Sequence, residues 1–222
     1  MIDLFSFLEY FLVFLIYSFI GWCMEVIVSL IEKRRFVDRG FLLGPYCPIY
    51  GFGMLLIVFL LRNYMDNFIV LFVLSMVICM ILEYLTSYFM ELIFKARWWD
   101  YSRKKYNING RICLETAIPF GIGGTLIMYV VHPFIIGMVS VISNSLLIII
   151  GMPLLVLFII DNVLSFNTMF KINGFDFKNY VDNTEEIAEL VMEHLMKHSF
   201  FTKRLVSAFP NIKVRMRKYR NK

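Results

Sequence analysis

Apolar residues in this chain neither alternate nor keep to one helical stripe; they run on for about twenty positions at a time between short polar breaks. Runs of that length match the roughly 20 residues a helix needs to cross a hydrocarbon core about 30 Å thick. The first extends from about Leu4 to Ile31, interrupted by Glu9 and Glu25, and the cluster Lys33, Arg34, Arg35 stops it. The second lies within Phe41 to Leu61 and carries Gly44, Pro45, Pro48, Gly51 and Gly53 in its first half, so regular helix is expected only from Pro48, over 48–61. The third, about 68–94, holds Glu83 and Glu91 and ends at Lys95 and Arg97. The fourth, about 112–131, repeats the oddity of the second, with Glu115, Pro119, Gly121, Gly123 and Gly124 in its first half. After His132-Pro133 the stretch 134–160 is too short for two spans and reads as one, about 138–160, led by an interfacial helix. The pattern therefore predicts an all-α polytopic transmembrane helical bundle of about five spans over residues 1–166. A cytoplasmic tail, 167–222, follows, with an amphipathic helix at 184–199 and a basic end of lysines and arginines suited to anionic lipid.

Lysine and arginine, counted loop by loop, orient this bundle. None precedes the first span; Lys33, Arg34, Arg35 and Arg39 follow it; only Arg62 lies between the second and third; Lys95, Arg97, Arg103, Lys104, Lys105 and Arg111 follow the third; the next turn has none and the tail has eleven. Alternation of this kind puts 21 of the 22 cations on one side, with the N-terminus outside and both basic loops and the tail in the cytoplasm of a plasma-membrane protein.

Composition agrees with the pattern: 59% of the residues are hydrophobic and the mean hydropathy is +0.71. The net charge of +5 sits beside apolar spans, which points to the lipid bilayer as partner and not to nucleic acid. Cys23, Cys47, Cys79 and Cys113 form no CxxC pair and have no histidine at ligand spacing, so neither a disulfide framework nor a metal site is expected, and nothing calls for a cofactor. No phosphate-binding loop, zincin pair or nucleophile elbow is present.

An offset of 66 residues aligns Met24-Glu25 with Met90-Glu91, Gly44 with Gly110, and Cys47 with Cys113. Each half is a span ending in a glutamate, a basic loop, and a span rich in glycine and proline, which makes a parallel two-span repeat. Interrupted segments at matching places in two halves point to a binding site, because unwound backbone offers unpaired N–H and C=O groups. The broken-helix candidates are Gly44, Pro45, Pro48, Gly51 and Gly53 in one half and Pro119, Gly121 and Gly123 in the other, with close helix packing as the alternative reading of the glycines.

A carboxylate within hydrocarbon costs a few kcal/mol, which singles out the buried acids. Glu83 falls near mid-membrane and Glu91, eight residues on, shares nearly its face; Glu25 and Glu115 lie near the basic side. With Arg39, Arg97, Asp100 and Arg111 they make a candidate substrate-binding set. The competing reading pairs Glu25, Glu91 and Glu115 with Arg39, Arg97 or Arg111 as loop fasteners, while Glu83 has no evident cation at its depth. Trp98 and Trp99 read as an interfacial anchor, Asp161 as the exit of the last span, and His132 as an outer-interface residue.

The motifs Gly21-Trp22 with Glu25, Asp38-Arg39-Gly40-Phe41-Leu42, Gly44-Pro45, Cys47 through Gly53, Glu83-Tyr84, Met90-Glu91, Arg97 through Ser102 and Asn107 through Leu114 together resemble the bacterial ABC-transporter type IV family of integral membrane, permease-like proteins. The resemblance covers roughly residues 15–135; Asp38 stands where the family pattern leads one to expect asparagine. It implies a transport permease with no known substrate, whose ATPase is a separate chain because this one has no Walker motif. Three functions compete: that permease, working with an ATPase subunit or as a homodimer because five spans are few; a membrane enzyme acting on lipid or an envelope precursor at the cytoplasmic interface; and a non-catalytic assembly or regulatory protein.

Overall fold

A computed structural model describes residues 3–34, 36–38, 40–94, 96–173, 204 and 213–214. Arg39, the expected tail helix at 184–199 and most of the basic end lie outside the described residues.

Helix α1 (Leu4–Lys33) starts where Asp3 accepts a hydrogen bond from the Ser6 amide at 2.9 Å, and it stops where Arg34 turns left-handed at φ 51°. Pro48 opens α2 (Pro48–Leu61), occupying the first helical turn where its missing N–H costs nothing. After one short 3₁₀ turn comes α3 (Phe68–Phe94). Helix α4 (Leu114–Leu126), a π turn (Ile127–Val131) and α5 (His132–Ser140) join into one continuous rod, and α6 (Asn144–Asn173) closes the bundle. Four rods are long and apolar enough to cross a membrane, Leu4–Ile31, Phe68–Phe94, Leu114–Ser140 and Asn144–Phe170, while Pro48–Tyr64 is a shorter apolar helix. The protein is thus a multi-pass helical membrane bundle.

Two boundaries differ from the sequence expectation. No break occurs at His132-Pro133, because the i→i+5 turn, closed by the His132 amide on the Ile127 carbonyl, absorbs the proline as one wide turn. The break comes instead after Ser140; Ser143 then receives the Leu147 amide on its carbonyl at 2.8 Å, and α6 runs on to Asn173. Helices α2 and α4 are likewise unbroken through Gly51, Gly53, Pro119, Gly121 and Gly123. Several of these glycines serve close packing: a Cβ on Gly51 would lie 2.7 Å from the Phe14 carbonyl of α1, and one on Gly121 would lie 2.7 Å from the Phe72 ring of α3.

The non-helical backbone lies earlier, in the lead-ins to α2 and α4. Cys47, the residue before α2, donates its amide to the Ser18 carbonyl at 2.9 Å. Ser18 stands roughly 22 Å up α1 from Lys33 at 1.5 Å per residue, so the first loop re-enters the bundle before α2 begins. The second loop forms a small hairpin, β2 (Asn107–Ile108) and β3 (Ile112–Cys113), turned by Asn109 and Gly110 at φ 53° and 67°. Cys113 precedes α4 as Cys47 precedes α2, so the two lead-ins end alike. A strand, β1 (Ala96–Arg97), pairs with β4 (Lys213–Val214) of the tail.

The apolar core holds Val13, Tyr17, Met54, Ile57, Leu61, Leu71, Cys79 and Met128. Both long loops and the end of α6 share one end of the bundle, joined by contacts of Phe41 with Phe94, Trp98 and Phe166. Trp98 is buried in that aromatic cluster, and the Trp99 indole N–H donates to the Arg111 carbonyl at 2.9 Å. Trp98 is therefore not exposed as the interfacial anchor expected of it, because the loop folds inward, while Trp99 is half-buried.

Candidate functional site

Polar side chains gather at this loop end in three groups. The first surrounds Glu91 near the end of α3. The turn at Asn109-Gly110 closes with the Arg111 amide on the Ile108 carbonyl at 3.0 Å and sends the Arg111 side chain back onto α3. There its guanidinium donates to Ser87 Oγ at 3.1 Å and to Glu91 Oε2 at 2.9 Å, with its carbon 5.7 and 5.5 Å from the Tyr84 and Tyr88 ring centres. Arg97 meets the same carboxylate oxygen through Nε and Nη2, both at 3.0 Å, and donates Nη1 to the Asn109 carbonyl at 3.2 Å. Asp100 lies 3.9 Å from Arg97, and the whole fits around Gly110, where any Cβ would come within 2.8 Å of Asp100 Oδ1. Glu91, Arg97 and Arg111 therefore fasten loop to helix, the structural alternative weighed from sequence.

The second group is acidic. Tyr101, from the same loop, donates its hydroxyl to Glu83 Oε1 at 3.1 Å, and Tyr50 of α2 donates to Glu25 Oε1 at 2.6 Å. Burial and then the Glu83 carboxylate push the Tyr101 phenol far above the usual tyrosine range, with Glu25 adding to the effect, so Tyr101 is a fixed donor and the two acids share one electrostatic neighbourhood. Glu83 is 7% exposed, and its Oε2 is buried with no hydrogen-bond partner.

The third group was not foreseen. Asp161 lies on α6, well before its end, and accepts the Leu43 and Gly44 amides at 2.8 and 2.7 Å, the Tyr46 hydroxyl and Ser165 Oγ at 2.9 Å. It supplies the partners that re-entrant backbone needs within a membrane. Asp38 accepts from Trp22 Nε1 at 2.8 Å and from Arg204 of the tail at 2.6 Å.

Other candidates stand apart. Glu115 is exposed and pairs with Lys104 at 2.8 Å, a surface contact of small consequence. Pro119 is exposed, and a Cβ added to Gly123 would have nothing within 4 Å. His132 faces inward, where its Nδ1 lies 3.0 Å from the Tyr17 hydroxyl. Among the described residues no group of three or more His, Cys, Asp or Glu side chains is placed to hold a metal ion. Tyr50, Tyr101 and Asp161 are the residues the sequence did not single out as site members; an acid inside an apolar run was the available signal for Asp161, and the tyrosines stood inside the motifs that carry the family resemblance.

Residues 12–166 match the family model described as "Putative ABC-transporter type IV". That span takes in all three polar groups except Arg204. No curated protein and no solved structure matches the chain.

Proposed function

Because the chain belongs to the ABC-transporter type IV family, we propose that it is the membrane permease of a transport system, with Glu83 and Glu25 at the solute or coupling site and the ATPase on another chain. Membership and the apolar rods make it a membrane transport protein; the finer assignment rests on Glu83. A buried carboxylate with one oxygen lacking a partner carries a desolvation cost that packing alone does not explain. Glu91, Arg97 and Arg111 are engaged with one another and hold the loop that delivers Tyr101. Asp161 holds the other loop, which leads into α2 and Tyr50. The sequence-based orientation puts this end in the cytoplasm, where an ATPase would dock, and a second copy of the chain is the other partner that so small a bundle invites.

The test compares solute contents of cells lacking the protein with cells carrying wild type, Glu83→Gln or Glu25→Gln at equal membrane levels. At least one solute should shift on deletion, return with wild type and stay shifted with both variants. Restoration by both variants would remove these acids from the site. A membrane enzyme acting on lipid is the second reading, favoured by the gathering of polar groups at one end; it requires the same variants to change lipid composition instead.

A further inference from the structure

Helix α3 carries two glutamates eight residues apart, Glu83 buried and Glu91 half-buried, and the protein treats them differently. Glu91 is met by two arginines, three nitrogen donors converging on its Oε2. Glu83 has no ion pair among the described residues; one phenol serves Oε1 and nothing serves Oε2. The groups around it are Glu25 from α1, Tyr101 from the second loop and Cys79 one turn back on α3, with Tyr50 of α2 held on Glu25. Tyr50 already donates to Glu25 and Tyr101 to Glu83 Oε1, so neither hydroxyl proton is left for Oε2. Around Glu83 the described residues thus offer acceptor oxygens, an adjacent carboxylate and no remaining O–H or N–H donor, only the weak S–H of Cys79. What fits such a place is positive and small.

We propose that Glu83 Oε2 is the ligand atom for one small monovalent cation, a proton or a sodium ion, which binds beside Tyr101 and Glu25 and neutralises the buried carboxylate. The binding is independent of any solute and of the ATPase. Carboxylate and phenol oxygens are hard ligands suited to sodium, and a proton would turn Oε2 into a donor toward the neighbouring acceptors.

The experiment is a thermal melt of the purified full chain in detergent, with sodium chloride exchanged for choline chloride at constant ionic strength. It is run at about pH 8.5, well above ordinary carboxylate pKa values, and again at about pH 5.5. Wild type should melt about 4 °C higher at about ten times the sodium dissociation constant than in choline, and Glu83→Gln should lose that response. If the proton is the cation, sodium leaves wild type unmoved, and acidification in choline raises its melting temperature more than that of Glu83→Gln. Equal responses of wild type and Glu83→Gln to both sodium and pH would overturn the proposal. Tyr101→Phe, which keeps the carboxylate but removes the phenol oxygen, should weaken the sodium response or, if the proton is the cation, enlarge the acid response; an unchanged response would count against the site even if Glu83→Gln cannot be recovered. A cation-indifferent melt together with a persisting solute phenotype would defeat this inference and leave the permease reading standing.

Discussion

Gly51 near the start of α2 and Gly123 toward the end of α4 both lie in glycine-rich helices, yet alanine should move stability in opposite directions at the two. At Gly51 the new methyl would sit 2.6 Å from Phe14 Cδ2, 2.7 Å from the Phe14 carbonyl oxygen and still closer to Ser18 Oγ. The carbonyl belongs to the backbone of α1 and cannot yield without moving the helix. Overpacking of this kind costs about 1–3 kcal/mol, against up to about 1 kcal/mol regained from helix propensity, so a net loss of about 1–2 kcal/mol is expected. At Gly123 nothing lies within 4 Å, and only the propensity gain of about 0.5–1 kcal/mol applies. For a chain of this size those values correspond to a fall of about 4 °C and a rise of about 2 °C. Paired thermal melts of the two purified variants in one detergent measure both. If Gly51→Ala melts as high as Gly123→Ala, the close approach of α1 and α2 is wrong, and with it the packing account of Gly51.

Asp161→Asn replaces an acceptor of four hydrogen bonds by a group that must turn one amide toward a backbone N–H. It should lower stability by about 1–3 kcal/mol and speed proteolysis in the first loop, whereas a melt and digestion pattern like wild type would deny Asp161 its role in holding that loop. Cys47 gives a labelling prediction, because its side chain is buried where the first loop re-enters the bundle. Maleimide should leave Cys47 unlabelled at about pH 8 in the folded protein and label it after denaturation; rapid labelling in the folded state would contradict the burial.

The spans were legible because a hydrocarbon solvent imposes one demand, long apolar runs ended by cations, and the sequence meets it at Lys33 and Lys95 without ambiguity. Glu83 was legible for the same reason, since no cation lies near it along the chain. What escaped was pairing at a distance. The link from Asp161 to Leu43 and Gly44 spans more than a hundred residues, and no periodicity encodes it. His132-Pro133 looked like a helix end because proline usually is one; the π turn that absorbs it has no residue signature of its own. The true boundary did carry a signal, Ser143 ahead of Leu146, whose amide meets the Ser143 hydroxyl at 3.4 Å. Glycine and proline together suggested broken helices; the chain is non-helical through Gly44 and Pro45 up to Pro48, where regular helix was expected to begin, but in the second half the break falls before Leu114, where left-handed Asn109 and Gly110 mark the lead-in.

The gathering of both loops at one end of the bundle has a consequence for how the chain enters the membrane. Each loop is basic and lies between two apolar helices. A cation-rich loop is itself an address for the translocation machinery, so under the sequence-based orientation the two loops carry the same address, once each.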